Sequence, residues 1–211
     1  MPVTTIVGAQ WGDEGKGRII DALANEMEWV IRFQGGDNAG HTVVNDFGEF
    51  KLHLIPSGIF HPQVKCLIGT GCVVNPAVLI EELETLEAAG VKTANLFVSE
   101  RAHMVMPYHT LLDGLQESAS GKSAIGTTQR GIGPAYSDKG ARLGLRLGDL
   151  LRPDWLEARL DQAVQVANRE LVYFKQDPAD PAKLLEQCLA WRDKIQSRLV
   201  DPLPLIRQAY E

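Results

Sequence analysis

The chain has 211 residues, a net charge of -6 and 45% hydrophobic residues. This hydrophobic content is ordinary for a globular protein with a real core, so it argues against the disordered and fibrous classes. An acidic chain disfavours general binding to nucleic-acid backbone, and no apolar run approaches the roughly 20 residues of a membrane helix. We therefore expect neither nucleic acid nor a membrane as a partner.

The three cysteines, Cys66, Cys72 and Cys188, show no CxxC spacing. An odd number of cysteines in a chain without a basic-then-apolar leader indicates reduced thiols. We therefore expect a cytoplasmic protein.

The first hundred residues alternate between β-like and helical patterns. Apolar and β-branched runs predict strands at residues 4–8, 29–33, 49–56, 65–68 and 95–99. Helical spacing predicts a helix at residues 18–26. A second helix is predicted with Asn75 as its N-cap and Pro76 at its first position, and it stops at Gly90. This alternation predicts an α/β fold with an open, mainly parallel sheet, whose ligands bind beyond the carboxyl ends of the strands.

The pattern changes beyond about residue 100. Apolar residues at spacings of three and four predict packed helices at residues 108–118, 153–174 and 181–200. Between the first two lies a glycine-rich segment at residues 121–148 that is too ordered in composition for a simple linker. We therefore expect an α/β domain at residues 1–100, a mainly helical subdomain at 101–200, and the start of a return to the sheet at 201–211.

Residues 8–18 read GAQWGDEGKGR, which almost matches a phosphate-binding loop. A glycine loop between a strand and a helix offers free N–H groups and a positive helix end, and Lys16 adds a cation. The alternative is that these glycines only allow a tight turn. No Ser or Thr follows Lys16, and Asp13 would repel phosphate unless it holds a metal, accepts a proton from the substrate, or both.

Two further segments carry candidate residues. Residues 34–42 read QGGDNAGHT, where His41 is a candidate proton donor because histidine changes charge near neutral pH; the other four histidines are interpreted as structural. Residues 125–142 contain Thr127, Thr128, Arg130 and Arg142, whose donors could bind a phosphate monoester. Turns with solvated charges explain this third segment equally well.

Four sequence blocks resemble the adenylosuccinate synthetase family. They are QWGDEGKGR at residues 10–18, RFQGGDNAGHT at 32–42, LHLIPSGI at 52–59 and IGTTQRGIGPAYSDKGARLGLRLGDL at 125–150. They occur in the family's order and spacing, so the resemblance covers essentially the whole chain. It implies a P-loop-NTPase-like, mainly parallel sheet with flanking helices, followed by the mainly helical subdomain.

The resemblance also implies an activity. The family joins IMP and L-aspartate into adenylosuccinate with GTP and Mg²⁺, in the committed step from IMP to AMP. Removal of the N1 proton of IMP pushes charge onto O6, which attacks the γ-phosphate of GTP. The aspartate amine then displaces the phosphate of 6-phosphoryl-IMP. Such phosphoryl transfer needs mainly positioning and charge neutralisation.

Site residues follow from the same resemblance. It implies Asp13 as catalytic base and Mg²⁺ ligand, His41 as general acid, Lys16 as a catalytic cation, and the carbonyl of Gly40 as the second Mg²⁺ ligand. The implied GTP-binding residues are Gly12, Asp13, Glu14, Gly15, Lys16, Gly17, Arg18, Gly40, His41 and Thr42. The implied IMP-binding residues are Asp13, Glu14, Gly15, Lys16, Asn38, Ala39, Gly40, His41, Thr128 and Arg142. Arg142 is expected to reach the neighbouring subunit's site in a homodimer, and residues 121–148 to form the IMP-phosphate loop.

The chain also departs from the family. Arg18 replaces a common lysine, and Asp37 adds a second carboxylate near the predicted site, with effects that the sequence leaves open. Family members are roughly twice as long, and the guanine-recognition motif and the aspartate-binding loop have no counterpart in this sequence. We therefore interpret the chain as an amino-terminal portion that is marginally stable or associates. The alternative is a non-catalytic module that binds nucleotide phosphates.

Overall fold

Four short parallel strands form the central sheet in the computed structural model, which describes residues 3–9, 15–121 and 124–210. They are β1 (Trp29–Arg32), β4 (Lys65–Ile68), β6 (Leu96–Ser99) and β8 (Leu199–Val200), in the order β1-β4-β6-β8. The hairpin of β2 (His41–Asn45) and β3 (Gly48–Leu52) is antiparallel, and β5 (Val73–Val74) pairs in parallel with β7 (His103–Met104). The α/β fold with a mainly parallel central sheet is confirmed.

Seven helices surround these strands in the described part of the chain. They are α1 (Lys16–Ala24), α2 (Pro76–Ala88), α3 (Pro107–Ala119), α4 (Ile132–Ala141), α5 (Pro153–Tyr173), α6 (Pro181–Ile195) and α7 (Pro202–Tyr210). Short 3-10 turns lie at Ser57–Phe60, Leu147–Leu151 and Gln196–Arg198. None of the described helices is long and apolar enough to cross a membrane.

Local sequence explains where helix α2 begins. The side chain of Asn75 accepts the N–H of Ala77 at 3.1 Å, and Pro76 occupies the first turn, where its missing N–H is not needed. This is the predicted cap. The same arrangement starts α6, where Asp180 accepts the N–H of Ala182 at 2.9 Å ahead of Pro181.

The main hydrophobic core lies between the sheet and the helices. It runs from Val43 to Ile195 and crosses the predicted boundary near residue 100. The division of the chain into units at residues 1–100 and 101–200 stays a prediction. The three cysteines are buried free thiols, and burial raises the pKa of Cys66 to about 12, of Cys72 to about 11 and of Cys188 to about 12.

Five sequence predictions about elements differ from the structure. The predicted strand at 49–56 ends at Leu52, and the predicted helix at 181–200 ends at Ile195. Residues 3–9 form no strand, although residues 4–8 are rich in β-branched side chains. Val3 and Val7 are 64% and 66% exposed, and β propensity alone does not hold a strand without a pairing partner. Helix α4 lies inside the glycine-rich segment. A return to the sheet was predicted at residues 201–211. The chain instead rejoins the sheet earlier, at β8, and residues 202–210 form helix α7.

The carboxyl ends of β1 and β4 approach each other closely. The N–H of Gly69 donates to the carbonyl of Arg32 at 2.8 Å, which extends the pairing by one step. A side chain at Gly71 would place its Cβ 2.0 Å from the carbonyl oxygen of Phe33, so only glycine fits there. This close approach positions the glycine-rich residues 34–42 at the carboxyl edge of the sheet.

Candidate functional site

The first glycine loop leads directly into helix α1. Gly15 has a φ of 80° and precedes the helix, so Lys16, Gly17 and Arg18 form its first turn. Their N–H groups lie at the positive end of the helix, where anions bind favourably. Gly12, Asp13 and Glu14 lie outside the described residues, so their predicted roles stay predictions.

Gly17 lies against the imidazole of His41. A Cβ added at Gly17 would lie 2.6 Å from Cγ of His41 and 2.8 Å from its Cβ. The first turn of α1 and the first residue of β2 are therefore in contact. This contact was expected from the position of both glycine segments beside each other at the sheet edge.

The imidazole of His41 is half-buried. Its Nε2 is buried and has no hydrogen-bond partner among the described residues. Burial lowers the pKa of His41 below its usual value, and nearby Arg32 and His53 lower it further, while Asp21 on α1 opposes them. The lowered pKa of His41 favours the neutral form of its imidazole near pH 7.

The second glycine segment has a buried base and an exposed tip. Gly36 and Asp37 are buried, whereas Asn38, Ala39 and Gly40 are exposed. The family resemblance predicts these three exposed residues as IMP contacts, and they lie directly before His41.

Arg32 and His53 hold the second glycine segment in place. The Arg32 guanidinium donates to the carbonyls of Gly36 and His53, and to that of Leu54 at 3.4 Å. The Nδ1–H of His53 donates to the carbonyl of Ala39 at 3.2 Å. Because Arg32 ends β1 and His53 follows β3, the segment is tied at both sides to strands.

Glu82 anchors the residues that follow β3. Its carboxylate accepts the N–H of His53 at 2.6 Å, of Leu54 at 3.0 Å and of Ile55 at 3.0 Å. The side chain is buried, and burial raises the pKa of Glu82, while the three backbone N–H groups oppose that rise. Helix α2 thus fixes His53, and through it the tip of the second glycine segment.

The third glycine-rich segment packs on the second through helix α4. The N–H of Gly35 donates to the Tyr136 hydroxyl at 2.9 Å, and that hydroxyl donates to the carbonyl of Gly71 at 2.9 Å. Lys139 donates to the carbonyl of Thr70 at 3.0 Å. Helix α4 is therefore bonded to the loops at the carboxyl ends of both β1 and β4.

A buried charge links the second and third segments. Asp37 is fully buried, and neither of its oxygens has a hydrogen-bond partner among the described residues. The nearest described cation is Arg130, whose Nη1 lies 3.5 Å from Oδ2 of Asp37. The attraction of the Arg130 cation offsets part of the cost of burying the Asp37 carboxylate.

The predicted site residues are only partly brought together. Gly17 contacts His41, and Gly15 and Lys16 adjoin Gly17 in the chain, whereas Thr128 is connected to the second segment only through Arg130, two residues later, which pairs with Asp37. Thr128 is exposed. Arg142 lies at the opposite end of α4, exposed and with a φ of 63°, and no described contact joins it to the glycine segments.

Sequence reasoning missed the residues that position the site. Each of Arg32, Glu82 and Tyr136 acts through contacts with residues distant in sequence. A signal was present for Arg32 and Tyr136, which lie within the sequence blocks at residues 32–42 and 125–150, whereas no block includes Glu82. Among the described residues, no group of three or more His, Cys, Asp or Glu side chains could hold a metal ion.

Sequence comparison identifies the relatives of this chain. The sequence profile of the adenylosuccinate synthetase family matches residues 5–211. The adenylosuccinate synthetase of Dehalococcoides mccartyi is 52% identical over 210 residues, which are 99% of this chain and 50% of that protein. That of Heliobacterium modesticaldum is 49% identical over 210 residues, 99% of this chain and 49% of that protein. The chain spans about half the length of the curated relatives it matches.

Solved structures also resemble this chain. The fully ligated adenylosuccinate synthetase from Plasmodium falciparum matches with a TM-score of 0.83 and 34% identity, over 95% of this chain and 47% of that one. A succinoaminodeoxyadenylate synthetase of cyanophage S-2L, bound to dGMP and to dATP as an energy donor, matches with a TM-score of 0.53 and 29% identity, over 68% of this chain and 40% of that one. The chain belongs to the adenylosuccinate synthetase family.

Proposed function

We propose that this chain carries the phosphate-binding and proton-transfer centre of a GTP-dependent ligase. The reaction joins IMP and L-aspartate into adenylosuccinate through 6-phosphoryl-IMP, the first committed step of AMP synthesis. The observation that supports it best is the contact between Gly17, in the first turn of α1, and His41, whose Nε2 is buried without a described partner. A phosphate at the start of α1 would meet both the helix N–H groups and this imidazole.

Asp13 is the base in this proposal. Its carboxylate takes the N1 proton of IMP, which leaves negative charge on O6. O6 then attacks the γ-phosphate of GTP, and GDP leaves. The aspartate amine displaces the 6-phosphate in the second step, so both the oxygen and the transferred phosphoryl group leave together as phosphate.

His41 donates a hydrogen bond to the phosphoryl group and acts as general acid. Burial lowers the pKa of His41, which favours the neutral imidazole, and in the tautomer with its proton on Nε2 this nitrogen would donate a hydrogen bond without a positive charge. An anionic phosphate placed beside Nε2 would favour the protonated imidazole and raise its pKa. Binding of the phosphate substrate would therefore produce the protonated His41 that acts as general acid.

Asp13 and the carbonyl of Gly40 are the residues that would hold Mg²⁺. A carboxylate and a backbone carbonyl supply the hard oxygen ligands that Mg²⁺ prefers. The fit is supported by the close packing of Gly40, where an added Cβ would lie 2.8 Å from Nδ1 of His53, so the backbone there is held against a neighbouring ring. When bound, Mg²⁺ would neutralise charge on the phosphates.

The substrates divide between the three segments. Residues 12–18 with Gly40, His41 and Thr42 bind the GTP phosphates. Residues 13–16 and 38–41 face IMP, and Thr128 binds its 5′-phosphate. Arg142, exposed at the end of α4, reaches the IMP phosphate of the neighbouring subunit in a homodimer. The buried free thiols agree with a reducing compartment, and we propose a cytoplasmic location.

A coupled assay for GDP release tests the proposal. The chain is mixed with IMP, L-aspartate, GTP and Mg²⁺, alone and together with the part of a relative that this chain does not cover. GDP release that depends on both IMP and L-aspartate supports the ligase. Binding of IMP without release in either mixture favours the non-catalytic nucleotide-phosphate module, and absence of IMP binding contradicts both.

A further inference from the structure

Helix α3 presents three polar side chains to the third glycine-rich segment. His109, Asp113 and Glu117 are spaced by four residues and therefore lie on one face of the helix. Each of them bonds to a different part of residues 125–138. We name these three side chains the α3 ridge.

Glu117 binds three successive backbone N–H groups. Its carboxylate accepts the N–H of Ile125 at 3.3 Å, of Thr127 at 3.2 Å, and of Gly126 between them. The Gly126 bond is the largest of the effects that lower the pKa of Glu117. An ionised carboxylate thus fills a backbone nest of the type that otherwise attracts phosphate.

Asp113 and His109 fix the far side of the same segment. Oδ2 of Asp113 accepts the N–H of Gly131 at 2.8 Å. Nδ1 of His109 accepts the N–H of Met106 at 2.9 Å, so its proton is on Nε2, which donates to Asp138 at 3.0 Å. Residues 125–131 are therefore held at both ends by one helix.

The two threonines between these anchors differ in availability. Oγ1 of Thr127 accepts the N–H of Gln129 at 3.4 Å, so this hydroxyl is engaged within the loop. Thr128 is exposed, and its side chain makes no hydrogen bond with the described residues. Gln129 has a φ of 54°, a conformation that a residue other than glycine rarely adopts and that the neighbouring anchors maintain.

We propose that Glu117 is a positioning residue for the 5′-phosphate of a nucleoside monophosphate. Because its carboxylate already fills the nest at residues 125–127, an incoming phosphate is directed to the next donors, the hydroxyl and N–H of Thr128. The inference rests on the proposed function, which assigns the IMP phosphate to Thr128. The inference adds Glu117 as the residue that directs the phosphate to Thr128, rather than to the N–H groups of residues 125–127 or to the hydroxyl of Thr127.

The test combines amide exchange with IMP titration. Glu117→Gln keeps one acceptor oxygen, Glu117→Ala keeps none, and Glu186→Ala removes an exposed glutamate on α6 as the matched control. We expect hydrogen exchange of the amides at 125–127 to become about tenfold faster in Glu117→Ala, less so in Glu117→Gln, and to stay unchanged in the control. The affinity for IMP should fall in the same order, by about tenfold in Glu117→Ala.

The outcomes separate this inference from the proposed function. Unchanged exchange at 125–127 in Glu117→Ala overturns the inference. So does faster exchange with unchanged IMP affinity, because Glu117 would then only tie the loop down. Failure of the unmodified chain to bind IMP overturns the proposed function, and with it the ligand that Glu117 positions, while the exchange rates still report whether Glu117 holds the loop.

Discussion

The first turn of α1 reaches His41 because Gly17 has no side chain. The imidazole fills the space that any Cβ at Gly17 would occupy. The same packing buries the ring, and burial is the largest cause of its lowered pKa. The missing side chain at Gly17 therefore affects both the position of the His41 imidazole and its pKa.

Replacing Gly17 by alanine should displace His41. We expect the overpacked contact to lower the free energy of unfolding by about 1–3 kcal/mol, and the displaced ring to titrate at a higher pKa as it becomes more exposed. Nuclear magnetic resonance titration of the imidazole measures the second effect. Gly133→Ala in α4 is the control, because its added Cβ meets nothing within 4 Å. An unchanged His41 titration in Gly17→Ala would contradict this account.

His103 makes stability depend on pH. It is 7% exposed, and its Nδ1 has no described partner. Burial, followed by the charges of Lys139, Arg146 and Arg159, lowers its pKa from 6.5 to about 4. The unfolded chain therefore binds this proton more readily than the folded chain, and the stability present above pH 6.5 is lost as pH falls toward 4.

The His103→Gln variant should show a flatter pH profile. Between pH 7.5 and pH 5 we expect the unmodified chain to lose about 2 kcal/mol of unfolding free energy through His103 alone, and the variant to lack this loss. Urea unfolding at both pH values measures it. The same pH dependence in His103→Gln as in the unmodified chain would show that other groups cause it.

Strands and helices were predicted well where local sequence decides them. The apolar runs of β1, β4 and β6 and the Asn75 cap of α2 lie where the sequence predicted them. Helix α4 was missed because two glycines and a proline lower its helical propensity, and long-range bonds from Tyr136 and Lys139 hold it instead. The sequence predicted that the first two glycine segments lie beside each other, although the strand expected before the first one does not form, whereas Glu82 and the α3 ridge act across distant contacts that no motif marks.

Helix α2 should stabilise the site through Glu82. Glu82→Ala leaves the N–H groups of His53, Leu54 and Ile55 without their acceptor, and we expect the free energy of unfolding to fall by about 2–4 kcal/mol. Glu81→Ala, on the exposed side of the same helix, should change it by less than about 0.5 kcal/mol. Denaturant unfolding compares the two variants, and equal values for both would refute the anchoring role.

At the scale of the whole molecule, the central sheet has open edges. Strand β1 pairs only with β4 and strand β8 only with β6 among the described residues. Near the β1 edge, Ile31 is 36% and Phe33 is 46% exposed, and Ile19 on α1 is 50% exposed. An unpaired strand edge beside apolar side chains is a surface that favours association.

We therefore expect the chain to associate or to be marginally stable. Sedimentation velocity at increasing concentration should show species larger than a monomer, and Ile31→Lys should reduce them because a charge on an edge strand opposes pairing. Val172→Lys, at an exposed site on α5, is the control and should leave association unchanged. A monodisperse monomer with a cooperative melt at high temperature would argue against the prediction.

The most direct measurement of the central claim is GDP release by variants of the two proton-transfer residues. In the mixture that contains the part of a relative not covered by this chain, Asp13→Asn and His41→Asn should each lower IMP-dependent GDP release by at least about 100-fold. Asp161→Asn, an exposed carboxylate on α5, should release GDP at the unmodified rate, and circular dichroism should confirm that all three variants fold. Full activity in either Asp13→Asn or His41→Asn would contradict the account.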